Sequence, residues 1–396
     1  MDKLAINGGT PVSKEYIPYG KQSVDEDDIQ AIVDVLKGDY LTTGPNVVAF
    51  EEALVELTGA KYAVAISNGT SALHAACYAA GITEGDEVIT TPITFAASAN
   101  VVLYCGGTPV FADINPETYN IDPASIKEKI TNKTKAIIAV DFTGQAVEVD
   151  EIKAICEKYN LVFIEDSAHS INTEYKGEQI GSLADMTTLS FHPVKTITTG
   201  EGGAILTNDE AYYNKMLLFR SHGITRDEAL LSHMPYKGFN EQIALGYNNR
   251  MTDFQAALGV SQLKKIKAFS ARRSEIVKQY DEAFESVPEI TIQKEIEESN
   301  TSRHLYVIRL NTELLTVGRD EIYGALTAEN IGLQVHYMPV YWHPYYQELG
   351  YDKGLCPNSE ALYEQIFTIP LYYSLTDDEV KLVITAVNKV IRHYRK

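Results

Sequence analysis

Lys195 stands in the segment Ser190-Phe191-His192-Pro193-Val194-Lys195, and a glycine-rich run, Thr199-Gly200-Glu201-Gly202-Gly203, follows it. Upstream, the apolar stretch Leu161-Val162-Phe163-Ile164 ends in Glu165-Asp166. An acid at the end of a buried strand, then a hydroxyl, then a lysine in a constrained turn, is the set that pyridoxal phosphate chemistry requires. The lysine amine can condense with the cofactor aldehyde. The acid can keep the pyridine nitrogen protonated, so that the ring accepts electrons from a forming carbanion. A lone lysine is most often a solvated surface charge; the ordered set is what favours a cofactor site, with Lys195 and Asp166 as its catalytic pair.

Other segments could complete such a site. Ser67-Asn68-Gly69-Thr70-Ser71 lies between an expected strand and an expected helix. A small-residue turn there offers free backbone N–H groups and the positive end of the helix dipole to a phosphate, with the Thr70 and Ser71 hydroxyls beside them. An ordinary N-cap by Asn68 or Thr70 explains the same residues. No G-x-G-x-x-G follows the strand, so this is not a dinucleotide fingerprint. Phe95, in Thr91-Pro92-Ile93-Thr94-Phe95, could stack on a flat cofactor at a strand's carboxyl end or belong to the core. His169 could hold Asp166, stack near the ring, or serve as a structural histidine. A metal site built on Asp166 and His169 lacks a second suitably spaced histidine. Ser190 could reach a phosphate while Lys195 reaches the aldehyde, or it could bond nearby backbone. Asn248 and Arg250 are candidates for anion contacts, unless that loop only leads to a helix capped by Thr252 or Asp253. Gln334-Val335-His336-Tyr337 and the aromatic run Tyr341 to Tyr346 fit either a ligand mouth or interface packing.

The elements that must position these residues are legible from pattern. Apolar runs predict strands at 61–66, 86–90, 108–112, 135–140, 161–165, 187–191 and 203–207, and amphipathic spacing predicts helices at 70–80, 95–104, 148–158 and 209–219. Such alternation favours an α/β domain with a mostly parallel seven-stranded sheet covered by helices on both faces. An earlier helix is expected at 24–36, opened by a Ser23-x-x-Glu26 capping box. Near residue 250 the pattern changes: a long helix over 252–285, closed by Ser286-Val287-Pro288, then a charged connection, a strand at 303–310, a helix at 319–329, a strand at 332–337 and a final helix at 377–394. The division is therefore a large domain with its N-terminal arm at 1–250 and a smaller α+β domain at 251–396.

Composition narrows the function class. Fifty-four acids against thirty-four bases give a formal charge of -20, which argues against nucleic acid or an anionic membrane surface as partner. No stretch approaches the ~18 apolar residues of a membrane span, and Met1 to Gly9 lack a charged-then-apolar leader pattern. Cys77, Cys105, Cys156 and Cys356 are far apart and read as reduced, packed thiols, which implies a cytoplasmic enzyme.

Over nearly its whole length the chain resembles the DegT/DnrJ/StrS sugar aminotransferases, which are fold type I pyridoxal phosphate enzymes. The resemblance is carried by Leu41-Thr42-Thr43-Gly44, Ser67-Asn68-Gly69-Thr70, Thr91-Pro92-Ile93-Thr94-Phe95, Glu165-Asp166, Ser190-Phe191-His192 with Lys195, and Arg250-Met251-Thr252-Asp253-Phe254-Gln255. The stretch from Phe191 to Gly203, with Arg220-Ser221-His222-Gly223-Ile224, is similar to the pseudaminic acid branch. Members of that branch aminate C4 of a UDP-linked 4-keto-6-deoxy-N-acetylhexosamine with glutamate. The resemblance implies Lys195 as the lysine that binds pyridoxal 5'-phosphate and Asp166 as the pyridinium partner. It implies Gly69, Thr70, Ser71 and Ser190 around the phosphate, Phe95 on the ring with His169 close by, and Asn248 offered by the partner subunit of a homodimer. Tyr19, Leu41, Thr42, His336 and Tyr337 match positions near the nucleotide sugar. Asn249, where relatives carry an aromatic residue, and the segment Ser232 to Lys237, which does not align, both bear on sugar identity. Competing readings are a C3 or differently configured keto sugar, a dehydratase (which has histidine in place of Lys195), a cofactor-binding regulator without turnover, and a metal hydrolase.

Overall fold

The computed structural model describes residues 3–396. Seven strands form the central sheet: β1 Tyr62–Ile66, β2 Glu87–Thr90, β3 Thr108–Phe111, β4 Thr134–Val140, β5 Val162–Asp166, β6 Met186–Ser190 and β7 Gly203–Thr207. Their spatial order is β1-β7-β6-β5-β4-β2-β3. The strands β3, β2, β4, β5 and β6 run parallel, and β7 is antiparallel to both its neighbours. This is the mostly parallel α/β sheet expected from the sequence.

The sheet is buried on both faces, and alternation along each strand sorts its side chains. Ile138, Ile164, Met186 and Ile205 pack under α3 (Gly69–Ala79), α4 (Ala97–Tyr104) and α7 (Glu210–Arg220). Ile137 and Phe163 point the other way, toward α5 (Pro123–Lys129) and α6 (Val149–Tyr159). On that same reverse side, Leu189, Ala204 and Leu206 meet α2 (Pro45–Thr58) and α8 (Asp253–Leu263).

A second body follows. The antiparallel strands β8 Ile290–Ile292, β9 Tyr306–Leu310 and β10 Ile366–Ile369 pair in the order β8-β9-β10. They pack against α9 (Ile266–Phe284), a helix at Arg319–Ala328 and the terminal helix Asp377–Tyr394. Leu4 and Ile17 of the N-terminal arm join this core, while Met251, Ala256, Leu263, Ile266 and Phe269 belong to the cluster around Phe50.

Several local expectations are corrected. The helix expected at 24–36 is α1, Glu26–Lys37, and its capping box is Asp25 with Asp28 rather than Ser23 with Glu26. The single helix expected over 252–285 is two. Gln262 and Lys265 turn toward α1, donating to Asp28 at 2.6 and 2.8 Å, and the Lys265 amide drops back to the Gln262 carbonyl, so α9 leaves in a new direction. The charged connection after Pro288 contains β8. Arg303 to Leu305 precede the strand instead of opening it, because the His304 amide turns aside to the Thr143 carbonyl. The strand expected at 332–337 is an extended segment with one bridge, Gln334 to Thr368, because neighbouring groups bond elsewhere: the Gly332 amide to the Ile17 carbonyl, the Leu333 carbonyl to the Tyr323 hydroxyl and the Val335 amide to the Gln334 side chain. The helices α2 and Pro357–Gln365 carry no strong period in sequence and were not anticipated.

Helix α2 supports the site from beneath. Phe50, 0% exposed, meets the Phe191 ring edge-on at 5.1 Å, and Phe191 separates Ser190 from the Lys195 turn. The fit is tight: a Cβ on Gly259 would lie 2.6 Å from the Phe50 ring. Phe50→Ala should cost about 3–5 kcal/mol of stability, seen as a lowered urea midpoint. A change below about 1 kcal/mol would show that this floor closes without it.

Candidate active site

The site grows from the carboxyl end of β5. Because side chains alternate, Asp166 follows Ile164 onto the face covered by α3 and α4, and Glu165 follows Phe163 to the opposite face. The two neighbouring acids therefore do different things. Glu165 is fully buried, accepts from Thr187 Oγ1 at 3.1 Å, and has its carboxyl pushed well up by burial and by the Asp141 charge. Asp166 Oδ2 accepts from Ser98 Oγ on α4 at 2.7 Å, and its Oδ1 accepts from the Ala168 amide at 3.2 Å. Burial raises its pKa, and Ser98, the Ala168 amide and Lys195 oppose that rise. Asp141, at the end of β4, fixes the following loop. It takes hydroxyl hydrogen bonds from Ser167 at 2.9 Å and Ser170 at 2.5 Å and an amide from Val147 at 3.0 Å, while burial lifts its pKa to about 7.

Lys195 sits in a turn closed on the sheet by backbone. The Phe191 amide donates to Gly202, Thr199 returns to Phe191, and the Lys195 amide caps back to His192. Gly200, at φ +80°, supplies the left-handed residue that lets the turn reverse. The half-buried Lys195 amine is lowered to about 8 by loss of water, with the Asp166 charge acting in the opposite direction. The neutral, nucleophilic fraction near neutral pH is thus far larger than for a solvated lysine.

Beside the lysine turn lies the start of α3. Asn68 is its N-cap, accepting the Ser71 amide at 2.8 Å, so the capping account of this segment is correct for Asn68. The cap leaves Thr70 and Ser71 half-exposed at the helix mouth. Gly69 is required here: a Cβ would fall 2.8 Å from Ser190 Cβ and 3.0 Å from Ser190 Oγ. Gly69, Thr70, Ser71 and Ser190 are therefore brought together, although Gly69 at the start of α3 and Ser190 at the end of β6 are 121 positions apart in the chain.

Aromatic and imidazole groups wall the other side. Phe95 is 63% exposed beside α4, so it is not a core residue, and its ring lies 6.4 Å from that of Tyr337. Tyr337 stacks on His169 at 6.3 Å and 20°, with its hydroxyl 3.3 Å from His169 Nε2. His336 bonds Thr368 Oγ1 at 2.7 Å and faces Tyr19 at 5.6 Å. The arm carrying Tyr19 also passes the lysine turn, where Gly20 approaches Val194. Burial and the Lys195 charge hold His169 well below its usual range and bring His336 down to about 3. Tyr337 is raised by burial and by Asp166.

Two groups of expected residues lie elsewhere. Leu41 and Thr42 rest on the start of α8, where the Leu41 carbonyl accepts the Asp253 amide and Thr42 pairs with Thr252. Asn248 is exposed and pairs through backbone with Ser221, while its neighbour Asn249 accepts the Ser67 amide at 2.8 Å. Arg250 lies in the same strand-like segment, ahead of the Thr252–Gln255 cap of α8.

Sequence reasoning missed Ser98, Asp141 and His304. Ser98 reads only as a small residue within a helix, and Asp141 only as a strand-end acid. His304 stacks 4.6 Å from His169 but lies in a segment whose pattern signals nothing beyond a strand.

The residues present fit a flat, phosphate-bearing, cationic aromatic ring. His169 Nδ1 is buried without a partner, the Gly69–Ser190 concavity would be filled by a single Cβ, and the donor set is hydroxyls and amides facing a buried acid. The profile of the DegT/DnrJ/EryC1/StrS aminotransferase family matches residues 22–388. The chain is 39% identical to the spore coat polysaccharide biosynthesis protein SpsC of Bacillus subtilis, over 95% of this chain and 97% of that protein. It is also 39% identical to the UDP-4-amino-4,6-dideoxy-N-acetyl-beta-L-altrosamine transaminase of Campylobacter jejuni, over 96% of this chain and 99% of that protein. Among solved structures, Helicobacter pylori PseC, an aminotransferase of pseudaminic acid biosynthesis, superposes with a TM-score of 0.89 at 35% identity, covering 96% of this chain and 100% of that one. With a matching sheet and a matching length, and with Lys195, Asp166 and the Gly69–Ser190 contact drawn to one end of the sheet, the chain belongs to the DegT/DnrJ/EryC1/StrS aminotransferase family.

Proposed function

We propose that this aminotransferase moves the amino group of glutamate to C4 of a UDP-linked 4-keto-6-deoxy-N-acetylhexosamine, the chemistry of the pseudaminic acid type. The observation that carries the reading is the placement of Asp166 and Lys195 beside a cradle shared by Gly69 and Ser190. The relationship to the C. jejuni and H. pylori enzymes supports the acceptor. A second reading, another keto sugar, is favoured by the equal identity to SpsC.

The family's cofactor is pyridoxal 5'-phosphate, which when bound supplies an aldehyde for the amine and a ring that accepts the electrons released at the substrate carbon. Lys195 would hold it, and its Nζ, when free, would carry the proton to and from the reacting carbon. Asp166 would pair with the pyridine nitrogen and keep its proton in place. Thr70, Ser71, Ser190 and the amides opening α3 would take the phosphate dianion. Phe95 and His169 would cover the ring, and Tyr19, His336 and Tyr337 would form the mouth at which the sugar is oriented. Because His169 and His336 stay neutral, they add no cation to compete for Asp166.

A homodimer completes this reading. The segment between His222 and Asn248 leaves Leu245 74% and Tyr236 64% exposed, with Leu230 and Met234 beside them. Helix α1 likewise leaves Ile29 and Leu36 uncovered, next to Leu41. Covering these apolar groups with a second copy would bring Asn248, Leu41 and Thr42 to the partner's phosphate and sugar rather than to this chain's own.

Two predictions follow from the pair at β5. Competitive labelling of the cofactor-free protein with an amine-reactive reagent should show Lys195 reacting with a midpoint near pH 8. Asp166→Asn removes the charge that holds the lysine up, so the midpoint moves to lower pH; Glu165→Gln, on the far face, leaves it in place. Equal shifts in both variants would refute the assignment of separate roles.

The second is spectroscopic. Loaded protein should lose its visible absorbance band on adding glutamate, and a UDP-4-keto sugar should restore it. Restoration by a 3-keto sugar instead would select the second reading. Lys195→Ala should lower turnover by at least the ~10²–10⁴ that general acid–base catalysis contributes; near-normal steady-state rates would end the proposal.

A further inference from the structure

Asp166 receives a side-chain hydrogen bond from Ser98, and that serine is itself part of a chain. Ser98 Oγ lies 2.7 Å from Asp166 Oδ2, 2.8 Å from Thr94 Oγ1 and 3.4 Å from the Phe95 carbonyl. A hydroxyl has one proton to give, and a carboxylate at this separation is the strongest acceptor of the three. Ser98 therefore donates to Asp166, which obliges Thr94 to donate to Ser98. The order is Thr94 to Ser98 to Asp166, and all three side chains are buried away from competing water.

The position of this chain gives it a purpose beyond packing. Thr94 and Ser98 bracket the turn that opens α4, and Phe95 projects from the same turn. One short segment thus sets both an aromatic wall of the site and the direction of the acid. Resting on the cofactor reading above, we propose that Ser98, backed by Thr94, is a positioning residue that holds the Asp166 carboxylate ionised and oriented for the pyridine nitrogen.

The charged and titratable groups around Asp166 come from four directions. Lys195 is on the turn after β6, Asp141 at the end of β4, His169 in the loop after β5, and Tyr337 in the second body. Lys195 favours the ionised acid, Asp141 opposes it, and His169 and Tyr337 are held neutral. Ser98 is the first of the influences that bring the Asp166 pKa back down against burial. Removing it raises that pKa, so the acid becomes neutral at a higher pH than in the parent.

The test uses pyridoxamine 5'-phosphate, which has no aldehyde to condense with Lys195, titrated into cofactor-free full-length protein by calorimetry across a pH series. In Ser98→Ala the fall in affinity on acidification should move to higher pH, with a loss of roughly tenfold or more at the acid end, as expected of a hydrogen bond to a charged group. At alkaline pH its affinity should return to within a few-fold of the parent, since Asp166 is then ionised in both. Thr94→Val should move the profile in the same direction by less, and Ser98→Thr should restore it. A uniform weakening at every pH, or no change, would overturn the proposal by reducing Ser98 to a packing residue. Failure of the cofactor reading looks different: the parent would not bind the probe, or Asp166→Asn would bind it as the parent does, and either result overturns both readings.

Discussion

Keeping an ionised carboxylate under a sheet-and-helix roof is costly, because removing water from a charge takes several kcal/mol that only close donors and an opposite charge can offset. Asp166 is buried under that constraint, its pKa raised by loss of water, and much of the surrounding construction bears on it. Two donors reach its oxygens directly, from α4 and from the Ala168 amide. A lysine whose own pKa has been lowered stands near enough to feel it. Among the described residues no arginine or lysine forms an ion pair with it. On the proposed assignment that gap makes the acid useful to a cationic ring, whose binding would compensate burial that the chain alone leaves partly uncompensated.

The same reasoning accounts for the histidines. His169, His304 and His336 gather within ring-to-ring distance of one another or of Tyr337, and all three are depressed by burial. A charged imidazole in this place would satisfy Asp166 permanently and repel Lys195. Neutral rings provide flat surface and single hydrogen bonds without either effect. The acids are handled in the complementary way. Glu165 and Asp141, close to Asp166, are both raised, while the rise that burial imposes on Asp166 is opposed by Ser98, the Ala168 amide and Lys195.

Much of this could be read from the chain because strand-end chemistry is local. The alternation that buries Ile164 and Asp166 on one face and Phe163 and Glu165 on the other follows from the residues of β5 alone. The glycine at 69 and the serine at 190 are recognisable as turn residues, and their approach follows once β1, β7 and β6 lie side by side. The parts that escaped are those fixed by packing between distant segments. Helix α2 shows no clear stripe because it is covered from more than one side, by β1 and by α8. The break between α8 and α9 is set by Asp25 and Asp28, more than two hundred residues earlier, which no period within 252–285 can report. Ser98 and His304 gain their meaning only from what α4 and the segment ahead of β9 happen to face.

On the proposed assignment, cofactor and sugar are held by different kinds of structure. The cofactor groups come from the ends of β5 and β6 and the start of α3, elements locked in the sheet. The proposed mouth is assembled from Tyr19 on the arm and His336 with Tyr337 in an extended segment, and both are tied down by isolated bridges: the Tyr19 carbonyl accepts the Leu371 amide, Ile17 bonds Asn330 and Gly332, and Gln334 exchanges two backbone hydrogen bonds with Thr368. Neither segment is held by a ladder that fixes its register, so its side chains can change without disturbing the sheet. The hairpin from Ile224 to Gln242 is looser still, joined by one two-residue pairing and largely exposed. On that assignment the sugar can be exchanged while the reaction is kept, because the residues proposed to choose the sugar lie outside the packing that orients the amine.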